Sequence, residues 1–294
     1  MTASPPRIFD RRLRRLRWQR AAPRFGGHDV LYRRVVTDIA DRLKGVRRRF
    51  GTAIAFGERD GTLAEALAPS CDRVLTALPR EGGRPAAHSI RAEEEWLPFA
   101  PSALDLVVSV LEFHAINDVP GALSQIARAL KPDGLFIGAF FGGETLHELR
   151  QSLTRAEAAL RGGASPRVAP MIDIRDAGSL LQRAGFALPV ADSDRVTLTY
   201  PHALALLHDL RGMGETNILV ERDRCPLRKA VLAAALTEYE RSFAGANGRV
   251  PATIEIITMT GWAPHESQQR PLAPGSARMR LADALMTKER PLED

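Results

Sequence analysis

The apolar positions of this chain fall into two rhythms that alternate along its length. Val30, Leu31, Val35, Val36, Ile39, Ala40 and Leu43 recur at helical spacing, and a short apolar run over 52–56 then closes on Gly57. A stripe with a period near 3.6 predicts an amphipathic helix, and a short run ended by glycine predicts a strand and a turn. A further helix is expected from Gly61 to about residue 67, and a second strand over 73–78, ended by Pro79 and a polar stretch with glycines. Residues 104–111 and 135–141 are almost continuously apolar. Strands of that kind are buried on both faces of a parallel sheet. The helix between them, 119–130, stops at Lys131-Pro132-Asp133-Gly134, where proline and glycine turn the chain. Strands and helices alternating at this spacing predict βαβ units, right-handed crossovers and an α/β fold.

Helical sequence follows over 145–160 and 173–184, and strand composition over 196–200 and 253–260. Between those last two lie helical stretches at 202–211 and 226–243, too long for a hairpin, which predict an insertion covering the ligand side of the sheet. At the start, Asp10 predicts the cap of a helix over 11–18 in which Phe9, Leu13 and Leu16 share one face among arginines. The chain therefore divides into a basic arm (1–28), a core (29–200), a helical insertion (201–250), and a final strand with its tail (251–294).

Charge sharpens the view of the arm. Residues 1–50 hold 15 Arg and Lys against 4 Asp and Glu, or +11, so the remaining residues carry 6 − 11 = −5 of the net +6. A basic face across the whole domain is excluded, and without basic positions interleaved with aromatics no nucleic-acid binding is expected. Residues 9–20 read either as a contact for an anionic membrane or a partner, or as a helix packed on its own domain with solvated arginines. No run of 18 apolar residues exists to form a spanning helix. The two cysteines, Cys71 and Cys225, form no Cys-x-x-Cys pair, which points away from a disulfide framework or zinc site and toward a reducing cytoplasm or matrix.

Candidate chemistry gathers where strands end. Gly57, Glu58, Arg59 and Gly61 follow the first strand and open a helix, the turn that brings backbone N–H groups to a ligand in nucleotide-binding folds. Position carries more weight here than the letters, because a lone Gly-x-x-x-Gly is common. Glu112 and His114 follow the strand over 104–111. His114 reads equally as a general base or as a group satisfying a backbone carbonyl. Gly142, Gly143, Glu144 and Thr145 follow the next strand, as substrate contacts or as the cap of a helix. No carboxylate spacing completes a facial triad with them, so no metal is predicted.

The order of the glycine turn, Glu93-Glu94-Glu95-Trp96-Leu97-Pro98-Phe99, Asp105-Leu106-Val107-Val108-Ser109 and Leu130-Lys131-Pro132-Asp133-Gly134 resembles class I methyltransferases. More narrowly, the chain resembles the complex I assembly factor 5 family and its bacterial relatives. The matching stretches are Phe9-Asp10-Arg11, His114 with Asn117-Asp118, Phe141 to Arg150, Asp209 to Glu215, and His265-Glu266-Ser267-Gln268 running to Arg270-Pro271. The resemblance implies a Rossmann-like, seven-stranded, mostly parallel sheet with a reversed last strand. It also implies S-adenosylmethionine bound at Gly57, Glu58, Arg59, Gly61, Leu78, Glu93, Glu94 and Ser109. Finally, it implies a role in assembling respiratory complex I by holding or modifying a subunit, with arginine hydroxylation as the modification although the fold suggests methyl transfer. Malonyl carrier-protein methyltransferases share the core and residues 145–150, so methyl transfer to a small molecule or carrier-bound acyl group is the alternative. Because the Phe-Asp-Arg motif begins at residue 9, a bacterial cytoplasm or inner-membrane periphery is expected, with the mitochondrial matrix as the other possibility.

The chain departs from that pattern at the cofactor. Ala55 stands where the family's first loop carries Asp, and Arg59 where it carries its middle glycine. The ribose-holding acid is replaced by about Ala77, followed by Leu78 and Pro79. Hydrogen bonds to a charged group are worth about 1.5–3 kcal/mol each, so its loss weakens binding by roughly ten- to a hundredfold. A weakened or lost cofactor site is therefore expected.

Overall fold

The apolar runs become one sheet. In the computed structural model, which describes residues 7–78, 88–269, 279, 281–284 and 286–287, β1 (Phe50–Phe56), β2 (Cys71–Leu78), β3 (Ser89–Arg91), β4 (Leu104–Val110), β5 (Leu130–Phe141), β6 (Ala187–Tyr200) and β7 (Val250–Trp262) lie in the order β3-β2-β1-β4-β5-β7-β6. Strands β1 to β5 pair in parallel, and β7 runs antiparallel to both β5 and β6. The last strand is thus the reversed one, as expected. Helices α1 (Arg11–Ala21), α2 (Val30–Lys44), α3 (Thr62–Leu67), α4 (Val119–Ala129), α5 (His147–Arg161), α6 (Ile174–Arg183), α7 (Ala203–Met213) and α8 (Lys229–Phe243) accompany it within the unit Met1–Pro264. A second unit, His265–Asp294, holds the four-residue α9 (Leu281–Ala284) and a turn in which His265 Nδ1 lies 2.7 Å from Ser267 Oγ.

Every residue of β4 is buried. Leu106, Val108 and Val110 face one hydrophobic cluster with Ile39, Phe50 and Tyr239, while Val107 faces another with Phe136, Phe140 and Leu123. Successive side chains point to opposite faces, so a central strand needs apolar residues at both parities. Each fully buried large side chain contributes about 1.5–3 kcal/mol.

Three elements differ from the sequence reading. The turn read at Lys131–Gly134 is an irregularity inside β5: Leu104 pairs with Leu130 but Leu106 with Leu135, and Asp133 takes a positive φ of 63°. β6 begins nine residues before the expected strand, because an edge strand paired only with β7 tolerates Pro189, and because Asp192 and Asp194 are paired with Arg42 and Arg34 of α2 at 2.7 Å each. β3 was not read at all; it is three residues long, and the stretch leading into it (79–87) lies outside the described residues.

Candidate functional site

Where β1, β2 and β4 end, the chain opens a crevice of about 480 Å³. Gly57 follows β1 with φ +83°, and a Cβ there would lie 2.0 Å from the Val110 carbonyl oxygen. Its missing side chain therefore lets β1 turn against β4, rather than a ligand approach the loop. Glu58 folds back on the loop. Its carboxylate accepts from the N–H groups of Arg59 (2.8 Å), Gly61 (2.8 Å) and Ala64 (2.8 Å), so the amide nest at the start of α3 already holds an anion. Asp60 is paired with Arg33 at 3.1 Å. Arg59 turns inward, its guanidinium 3.2 Å from the centroid of the Trp18 ring and 3.4 Å from Glu215. Burial lowers its pKa to about 10, against the pull of Glu215.

Helix α1 forms one wall of this crevice. Asp10 caps it as predicted, accepting from the Leu13 N–H at 2.9 Å. Only part of the expected apolar face turns inward: Phe9 is buried and Leu13 packs in the same small cluster, but Leu16 is 40% exposed whereas Arg14 is only 4% exposed. The reason is electrostatic, since acids line the side that α1 meets. Arg15 donates to Glu93 at 2.9 Å, Arg11 to Glu94 at 3.3 Å, and Arg11 also lies 3.7 Å from Glu95. Buried charges persist when they are paired in this way. Arg17 donates to Thr216 at 2.6 Å, tying α1 to the insertion.

Beyond the end of β4 the chain takes a strained step at Leu111, φ 55°. That step presents Glu112 to the first crevice and His114 to a second cavity of about 280 Å³. Arg14 lines both cavities. Its guanidinium donates to the Leu111 carbonyl at 2.7 Å and lies 3.5 Å from both Glu112 and Glu215. His114 packs on Phe141 with ring centroids 4.7 Å apart, and its Nε2 lies 3.2 Å from Glu215. Burial pushes the Glu112 carboxyl up to about 8, offset in part by Arg14. Burial likewise holds His114 below its ordinary value, so its ring is neutral near pH 7, while Glu215, although buried, is held well down by Arg14 and His114. The second cavity is otherwise mostly apolar, with Phe9, Leu149, Leu153, Leu210, Met213 and Ile218 in its wall beside Arg167, Arg211 and Asn217.

Of the residues proposed from the sequence, Gly57, Glu58, Arg59, Gly61, Leu78, Glu93, Glu94 and Glu112 line the first cavity, and His114 and Thr145 the second. Ser109 is fully buried within β4 and lines neither. Thr145 exchanges hydrogen bonds with the Glu255 backbone, at 3.1 Å each. Gly142 packs against the Glu255 carboxylate, Gly143 has only the Met171 carbonyl oxygen within 4 Å of a would-be Cβ, and Glu144 faces Arg195 at 3.8 Å on the surface. Arg11, Arg14, Trp18 and Glu215 were not singled out. The available signal was that Phe9-Asp10-Arg11 and the stretch ending at Glu215, far apart in sequence, both matched one family.

S-adenosylmethionine is the cofactor that this sheet order implies, and the residues present do not fit it. Ala77 and Leu78 offer the ribose no carboxylate, Glu58 is committed to the loop, Glu93 is paired with Arg15, and a buried guanidinium stands in the loop where the family has glycine. Among the described residues, no group of three or more His, Cys, Asp or Glu is placed to hold a metal ion.

Comparison with known proteins agrees with the sheet. Residues 61–138 match the family described as a methyltransferase domain. The chain is 41% identical to the arginine-hydroxylase NDUFAF5 of Danio rerio, over 94% of this chain and 89% of that protein. It is 32% identical to the malonyl-[acyl-carrier protein] O-methyltransferase of Laribacter hongkongensis, over 89% of this chain and 92% of the relative. A solved Bacillus halodurans structure assigned as a methyltransferase superposes with a TM-score of 0.51 at 15% identity, covering 77% of this chain and 99% of that one.

Proposed function

The chain belongs to the family of the arginine-hydroxylase NDUFAF5, and from that premise we propose that it is a respiratory complex I assembly factor that engages and modifies an arginine of a complex I subunit. The observation that carries this reading is the buried cluster of Arg14, Glu112, His114 and Glu215 between two cavities at the carboxyl edge of a parallel sheet. Ligands of open α/β sheets bind at that edge. In this reading the arm and the insertion build the two cavities onto the core. The first cavity is the degenerate cofactor crevice. The second receives the client side chain, its apolar wall taking methylenes and its polar end taking the head group. His114, neutral near pH 7, is the proton acceptor at that end, and Glu112 holds a proton below about pH 8. The outward side of α1, with Arg12, Leu16 and Arg20 exposed, is the part of residues 9–20 free to touch a membrane or the client.

Deleting the chain from its host tests the reading by mass spectrometry of the complex I subunits. The expected outcome is loss of one modified arginine and accumulation of incomplete complex I; unaltered modification with intact complex I would overturn it. A second reading, methyl transfer to a carrier-bound acyl group, draws on the apolar lining of the second cavity. Co-purification separates the two: complex I subunits for the first, acyl carrier protein alone for the second.

A further inference from the structure

Arg14 occupies an unusual place for a residue of a basic arm. It is 4% exposed, lines both cavities, and lies at 3.5 Å from each of two carboxylates contributed by different parts of the chain, Glu112 after β4 and Glu215 after α7. We propose that Glu112 and Glu215 form a clamp for a client guanidinium, and that Arg14 is a resident stand-in which the client arginine displaces.

The proposal deepens the function above and rests on it. Three observations support the clamp. Among the described residues, Glu215 is the only acid in the lining of the second cavity, whose apolar wall would take the methylenes of an arginine stem. The stand-in also fits incompletely. Arg14 Nε is buried without a hydrogen-bond partner, and its 3.5 Å contact with the ionised Glu215 is longer than the 2.7–2.9 Å of a good charge-assisted pair. His114 Nδ1, in the same lining, is likewise buried and unpartnered, whereas Nε2 already faces Glu215. Nε2 also lies 3.3 Å from a guanidinium nitrogen of Arg14; with that donor displaced, Nε2–H can be given to the ionised Glu215, which leaves Nδ1 as an open acceptor for a guanidinium N–H.

Exchange also solves the charge problem. Introducing a cation beside Arg14, Arg59 and Arg167 would be opposed by all three, but replacing one guanidinium by another leaves the buried charge unchanged. Arg59 stays stacked on Trp18 and keeps its contact with Glu215, and Arg167 stays on Glu157 at 2.6 Å. A planar fork with several donors suits the ionised Glu215, the carbonyl oxygen of a protonated Glu112 and a ring nitrogen. A lysine ammonium lacks that geometry, and citrulline lacks the charge.

The probe is N-acetyl-arginine methylamide, titrated into the full chain by calorimetry, with the lysine and citrulline analogues as controls. Removing an internal competitor raises apparent affinity by the reciprocal of the fraction of time the site stands free of it. Arg14→Ala should therefore bind the arginine probe at least about tenfold more tightly than the wild type. Adding Glu215→Gln to it should abolish that gain, and the controls should not bind. Arg14→Met keeps the stem packed and gives the same comparison if Arg14→Ala does not fold. In the wild type, the Nε–H resonance of Arg14 should move as the arginine probe is added. No gain in either variant, an equal gain for lysine, or an unmoved Arg14 resonance during saturable binding would overturn the clamp. Such a result combined with lost client modification in the deletion host would leave the proposed function standing, so the two failures are separable.

Discussion

The two cavities share Arg14 and little else. The first has an apolar lining broken by Arg11, Arg14, Arg15 and Arg59 set against Glu58, Glu93, Glu94 and Glu112, charges that pair with one another or with the loop. The second is likewise mostly apolar, but Arg14, His114 and Glu215 meet at one end of it, with Arg167, Arg211, Thr145, Thr216 and Asn217 also in its wall. A site whose charges already satisfy one another offers a new ligand few free partners, whereas an apolar cavity with one polar end orients whatever enters it. In the function proposed above, the first cavity keeps its charges paired internally and the second is the one left to receive a client.

The largest effect is expected where both cavities rest on a common support. Phe113 sits between Glu112 and His114, 1% exposed, with ring centroids 5.6 Å from Phe136 and 6.0 Å from Phe140. Phe113→Ala should cost about 3–5 kcal/mol of stability, measured by denaturant unfolding, and should disturb both sites together. A loss under about 1 kcal/mol would mean that the two cavities do not share this floor.

Next in size is the reversal of the erosion. Wild-type protein should show no S-adenosylmethionine binding below millimolar ligand in calorimetry. Arg59→Gly with Ala77→Asp removes the buried guanidinium and supplies the ribose acid, and should raise affinity roughly ten- to a hundredfold, or about 1.5–3 kcal/mol. No gain would show that the contrast between the cavities has another cause than these two residues.

How much of this the sequence disclosed follows from where the information lies. The parallel sheet was legible because β4 and β5 are buried on both faces and their composition leaves no other placement. The carboxyl edge then placed Glu112 and His114 near the site, and the family pattern exposed Ala77 and Arg59 as departures. The orientation of α1 was only partly legible. Of the apolar stripe that a local reading offers, Phe9 and Leu13 pack inward, yet Leu16 does not, because Glu93, Glu94, Glu112 and Glu215, between 78 and 201 residues from their arginine partners, draw the arginine side in. Glu215 was hidden for the same reason: it leaves α7 in an insertion, and no periodicity marks it.

The titration of the shared cluster sharpens the comparison further. Glu112 is held at about 8, above its unfolded value, so the folded state binds the extra proton between roughly pH 4.5 and 8. Its contribution to stability is complete below the unfolded value and is lost as pH rises through about 8. Glu215 is shifted the other way, and its contribution is lost only as pH falls below the usual carboxylate range. Between pH 6.5 and 7.5 the Glu112 slope, at most about 1.4 kcal/mol across that unit, should outweigh the smaller and opposite slope of His114, which is neutral in the fold. Glu112→Gln should flatten the fall in thermal midpoint over this window, and an unaltered slope would assign the proton elsewhere.

The smallest expected effect isolates the cover from the floor. Asp10 holds the first turn of α1 through the Leu13 N–H and also lies 3.5 Å from Arg222, so Asp10→Ala loosens the wall of the first cavity without touching either cavity's lining. The loss of an N-cap costs about 1 kcal/mol. Because Arg11, Arg14 and Arg15 hang from this helix, their pairs with Glu94, Glu112 and Glu93 should open more often. Hydrogen exchange should then rise at α1 amides while β4 and β5 keep their protection. Equal loss of protection in the strands would show that the arm and the sheet open as one unit, and the crevice would then have no separable cover.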